Sequence, residues 1–131
     1  QTKYGLTRII ATRKWSSSIS SGIYLIIQII NMNFTDLINS ETPLLIDFYA
    51  DWCGPCKVLS PIIQDVKNDM GEKIKVVKID VDANQALSQK LQVMSIPTIM
   101  VYKKGELLWR ASGVQTKQAL ISKLNEFATD N

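Results

Sequence analysis

The chain has 131 residues, 46% of them hydrophobic and 21% charged, which suits one domain with a buried core and excludes the composition of a disordered chain. It has no histidine and only two cysteines, which removes imidazole metal ligands and every histidine-dependent triad, and leaves too few ligands for a zinc site. The net charge of +3 sits at one end: residues 1–31 carry Lys3, Arg8, Arg13 and Lys14 and no acid, while the rest holds 11 basic and 12 acidic side chains, so no basic stripe points to nucleic acid.

Residues 1–22 are basic and Ser-rich and read as a flexible or non-native arm. The apolar run that follows, residues 23–30, is far shorter than the ~20 residues of a membrane helix. A secretory signal is disfavoured because a Ser-rich insert separates the basic and apolar parts and no small-residue cleavage site follows. Residues 24–30 are rich in β-branched side chains and read as a first strand. The alternative is that Met32 is the natural start and residues 1–31 are a leader. Residues 23–131 otherwise form one domain.

Asn33 or Thr35 caps a short helix through about residue 40, and Pro43 closes it. Residues 44–50 read as a buried strand. After the cysteine pair comes a helix with Leu59, Ile62, Ile63, Val66 and Met70 on one face; Pro61 is expected to kink it, and Gly71 to end it. Residues 74–81 read as a strand and 84–91 as a helix. Residues 99–102 and 107–111 flank Lys103-Lys104-Gly105-Glu106, a hairpin signal. The last helix covers residues 116–127, with Leu120, Leu124 and Phe127 inward and Trp109 packing on a sheet face. The order β-α-β-α-β-α-β-β-α predicts an α/β fold, a central mixed sheet of four to five strands flanked by helices.

Both cysteines fall in Trp52-Cys53-Gly54-Pro55-Cys56-Lys57, at the junction of strand and helix. Unpaired N–H groups and the helix dipole at such an end favour a thiolate. A thiol with pKa ~8.5 is only about 3% ionised at pH 7, and one near ~7 is about half ionised, a difference of roughly 2 kcal/mol. Cys53, at the helix end with an exposed edge, is the candidate nucleophile. Pro55 suits the first helical turn. Asp47, in the middle of an apolar strand, shares a face with Leu45 and Tyr49, and a carboxylate there is costly unless it has a partner or a task.

The Trp52 to Lys57 motif, preceded by Asp47-Phe48-Tyr49-Ala50 and followed by Ile96-Pro97-Thr98, resembles the thioredoxin family, and the resemblance extends over residues 34–127. It implies the thioredoxin fold and a protein-disulfide reductase. Cys53 would attack a client disulfide, and Cys56 would resolve the mixed disulfide, leaving a Cys53–Cys56 bond. Asp47 would take the Cys56 proton, and Lys78 would moderate the Asp47 pKa, unless that lysine simply faces outward. A cis Ile96-Pro97 bond would face the cysteines, with Ile96 pairing with an extended client. Trp52, Gly54, Pro55 and Gly113 would complete the groove.

The resemblance further implies no bound cofactor or metal, electrons from NADPH through a thioredoxin reductase, and clients that are proteins with disulfides. The expected form is a cytoplasmic monomer, free of the membrane. Its rivals are an extracytoplasmic or membrane-tethered oxidoreductase anchored through residues 1–31, a disulfide-forming oxidase, and a non-catalytic module that binds partners in the groove. Tyr49 stands where the family frequently has Trp, and Ser95 where it frequently has Gly. Asn33-Phe34-Thr35 formally matches a glycosylation acceptor, a pattern common by chance.

Overall fold

Strand β1, Leu44–Tyr49, is buried at every position, and the other elements are arranged around it. A computed structural model describes residues 33–128, so the expected arm and first strand lie outside the described residues. Helix α1 spans Phe34–Ile38, α2 Gly54–Met70, β2 Lys75–Asp80, α3 Gln85–Lys90, β3 Thr98–Lys103, β4 Glu106–Ser112 and α4 Lys117–Ala128. The sheet order is β2-β1-β3-β4, with β2 parallel to β1 and the other neighbours antiparallel. Among the described residues this is the expected mixed sheet of four strands between helices.

Strand alternation assigns the two faces. Leu44, Ile46 and Phe48 pack with Phe34, Leu37 and Leu87 from α1 and α3, and the Phe34 and Tyr102 rings meet edge to face at 5.4 Å. Leu45 packs on the other side with Leu59, Ile63 and Val66 of α2 and Leu120 and Leu124 of α4, with Ile62, Trp109 and Phe127 at its border. Each fully buried aliphatic side chain contributes roughly 1.5–3 kcal/mol. Asp47 shares the α2 side with Leu45, so the strand carries one carboxyl into a largely apolar layer.

The helix ends follow from local chemistry. The Asn33 side chain accepts from the Asp36 N–H at 2.9 Å and caps α1, which stops at Ile38, two residues earlier than expected. Helix α2 continues through Pro61 to Met70, and Gly71 at φ 57° turns the chain out of it. Lys67, in the last turn of the helix, is buried there. Its ammonium donates to the Gly71 and Ile74 carbonyls at 2.8 and 2.9 Å, tying α2 to the start of β2.

Candidate active site

At the end of β1 the chain turns through Ala50, Asp51 and Trp52 and enters α2 at Gly54. Cys53 is the N-cap: its N–H donates to the Ala50 carbonyl at 3.2 Å, and its Sγ accepts from the Cys56 N–H, also at 3.2 Å. Its sulfur thus occupies the place of a capping oxygen, on one of the N–H groups that a helix start leaves unpaired. Cys53 and Cys56 are joined by a disulfide across a Cα separation of 5.3 Å.

The expected exposed edge at Cys53 needs correction. Cys53 and Cys56 are each only 3% exposed, because the Cys53 sulfur turns inward onto the helix end and toward the Ile96 carbonyl, 3.8 Å away. Exposure belongs to the flanking residues: Trp52 is 70% exposed, and Gly54 and Pro55 are open. The Trp52 indole donates to Asp82 at 2.9 Å, a partner absent from the sequence reading. A Cβ at Gly54 would meet no atom within 4 Å among the described residues.

The Ile96–Pro97 bond is cis. The Gly113 N–H donates to the Pro97 carbonyl at 2.8 Å, and Gly113 takes φ 85°, a conformation that favours glycine. The structure thereby brings Cys53, Ile96, Pro97 and Gly113 to one rim. Met94, two residues before Ile96, is 90% exposed.

Two ionisable side chains, Asp47 of β1 and Lys78 of β2, are buried side by side in the sheet. Asp47 is fully buried, and among the described residues neither carboxyl oxygen has a hydrogen-bond partner. Burial pushes its pKa from 3.8 up to about 7, and the Lys78 ammonium pulls it partly back. Lys78 is the register partner of Asp47 on β2 and is only 8% exposed, so it is not an outward-facing lysine. Its ammonium donates to Ser60 Oγ at 3.2 Å and lies 4.5 Å from the centre of the Tyr49 ring. Tyr49, Asp51, Cys56, Lys57, Ser60 and Lys78 line a pocket of about 410 Å³. Cys56 and the Lys78 ammonium therefore share one opening to solvent.

Ser60, absent from the sequence-based candidates, follows Cys56 by four residues, about one helical turn, and that spacing alone places it near Cys56. Among the described residues, no group of three or more His, Cys, Asp or Glu is placed to hold a metal ion, and no helix is long and apolar enough to cross a membrane.

The family Thioredoxin matches residues 25–126 of this chain. A thioredoxin of Bacillus subtilis (strain 168) is 47% identical over 87 residues, which cover 66% of this chain and 84% of that protein. A bifunctional thioredoxin reductase/thioredoxin of Mycobacterium leprae is 37% identical over 93 residues, covering 71% of this chain and 20% of that protein. Among solved structures, a thioredoxin from Halobacterium salinarum NRC-1 superposes with a TM-score of 0.68 at 33% identity, covering 76% of this chain and 86% of that one.

Proposed function

The chain belongs to the thioredoxin family and is a thiol–disulfide oxidoreductase, and from that premise we propose that it reduces protein disulfides through Cys53, Cys56 and Asp47. One observation carries the assignment: the redox pair sits at the N-cap of α2, with the Cys53 sulfur on a helix N–H and opposite the Ile96 carbonyl.

In the reduced protein, the Cys56 N–H and the helix end stabilise a Cys53 thiolate. The thiolate attacks one sulfur of a client disulfide. A Cys53–client bond forms, and the client's other sulfur leaves as a thiolate and takes up a proton. Asp47, whose carboxyl is pushed up to about 7 by burial, accepts the proton of Cys56 near neutral pH. Cys56 then attacks the Cys53 sulfur, releasing the second client thiol and closing the disulfide present in this structure. Two electrons pass to the client.

Lys78 tunes Asp47 through its charge. Trp52, Gly54, Pro55, Ile96, Pro97 and Gly113 form the surface that receives the client chain, whose backbone pairs at Ile96. Two electrons from NADPH, delivered by a thioredoxin reductase, reopen the Cys53–Cys56 disulfide. The family generally works with such a reductase and with disulfide clients, without a bound cofactor of its own. A monomer in a reducing compartment such as the cytoplasm is the setting in which this dithiol is regenerated.

Insulin reduction with NADPH and a thioredoxin reductase, repeated with dithiothreitol as electron source, tests the reading. Turnover that disappears in Cys53→Ser is expected. Absence of turnover with both electron sources contradicts it.

A further inference from the structure

Arg110 lies in the middle of β4, paired with Met100, and its guanidinium reaches out of the sheet to the segment that follows α3. One Nη donates to the Leu91 carbonyl at 2.6 Å and the other to the Gln92 carbonyl. Gln92 has φ 56°, in the left-handed region that favours glycine. The backbone bonds of Gln92 to Gln89 and of Val93 to Ser88 close the same turn. Four residues after Gln92 comes Ile96, whose carbonyl faces the Cys53 sulfur.

The far end of this segment is tied just beyond the end of the same strand. The Gly113 N–H holds the Pro97 carbonyl, and Gly113 follows Arg110 by three residues. Residues 92–97 are therefore held at both ends by β4 and the residue following it: by a side chain at Arg110 and by backbone at Gly113. Between the two ties, Met94 and Ser95 stand exposed. Charge-assisted bonds from a planar guanidinium fix both distance and direction, which a single lysine ammonium does less well.

We propose that Arg110 is a positioning residue for client proteins: it anchors the start of the 92–97 segment so that the Ile96 carbonyl stays aligned beside Cys53 for an extended peptide. The proposal rests on the reading of that segment as the client-receiving surface. A client that pairs along the segment needs this alignment, whereas a small aromatic disulfide needs only the Cys53 sulfur. Without the anchor the segment samples other arrangements, and apparent affinity falls in proportion to the competent fraction.

The test compares Arg110→Met and Arg110→Lys with the unsubstituted protein, measuring kcat and KM for insulin and the rate of the reduced protein with 5,5′-dithiobis(2-nitrobenzoate). Arg110→Met is expected to raise the insulin KM by roughly three- to tenfold, leaving kcat and the small-disulfide rate within about twofold. Arg110→Lys should recover part of the loss. An unchanged insulin KM, an equal slowing toward both substrates, or a lysine variant no better than the methionine one overturns the proposal. The unsubstituted chain reports separately on the oxidoreductase reading: if it reduces neither substrate, that reading falls and takes the proposal with it.

Discussion

Replacing Asp47 with Asn should abolish a steep pH dependence of stability. The Asp47 carboxyl titrates at 3.8 when unperturbed and at about 7 in the folded protein, because burial disfavours its charge more than Lys78 restores it. Between these values the folded chain keeps a proton that the unfolded chain has lost. Stability therefore falls as pH rises through this window, by about 1.4 kcal/mol per pH unit, and levels off above pH 7. From pH 5 to pH 8 the loss comes to about 3 kcal/mol, a large share of the ~5–15 kcal/mol that stabilises a typical domain. The window is unusually clean. Histidine, which ordinarily titrates there, is absent, and both cysteines are bonded to each other in the oxidised protein.

The assay is urea unfolding of the oxidised protein at intervals from pH 5 to 8, with and without Asp47→Asn. The unsubstituted protein should lose about 3 kcal/mol over that range, and the variant should stay nearly flat, so the curves separate as pH rises. The amide leaves its own polar atoms buried, a cost of about 1–3 kcal/mol that is independent of pH and shifts the variant's curve without tilting it. Parallel curves would refute the reasoning, since they would mean that Asp47 ionises alike in folded and unfolded chains.

Two further variants probe the same layer and its support. Lys78→Met removes the charge that pulls the Asp47 pKa down, so the pH dependence of insulin reduction should move to higher pH; a shift to lower pH, or none, contradicts the electrostatic assignment. Lys67→Met forfeits the bonds to the Gly71 and Ile74 carbonyls and should cost roughly 2 kcal/mol in urea unfolding. Insulin kcat per folded molecule should stay unchanged, because Lys67 lies at the opposite end of α2 from the disulfide.

The parts that were legible in the sequence are those written in local pattern. Runs of β-branched and aromatic residues marked the strands, and the apolar spacing of Leu59, Ile63, Val66 and Met70 marked the inner face of α2. A carboxyl in the run Leu44 to Tyr49 stood out because nothing else there is charged, and alternation alone gave its face. What stayed hidden depends on contacts between elements distant in sequence. The Ser60 hydroxyl under the Lys78 ammonium joins α2 to β2, and the Arg110 guanidinium joins β4 to the turn after α3. Lys67 was hidden for a different reason: a lysine in a helix reads as solvated, and only the turn at Gly71 folds two carbonyls back onto it. The burial of Cys53 is likewise not written in local pattern, because it depends on the capping sulfur turning toward the helix and the Ile96 carbonyl.

The measurement that bears most directly on the central claim is the trapping of a client on Cys56→Ser. The reduced variant is mixed with a disulfide-bonded peptide, and the product is analysed by mass spectrometry after blocking of free thiols. Attack by Cys53 without a resolving thiol predicts a stable one-to-one adduct, mapped to Cys53, and no catalytic turnover. Free turnover by the variant, or failure of the folded variant to form any adduct at Cys53, would contradict the assignment of attack to Cys53 and resolution to Cys56.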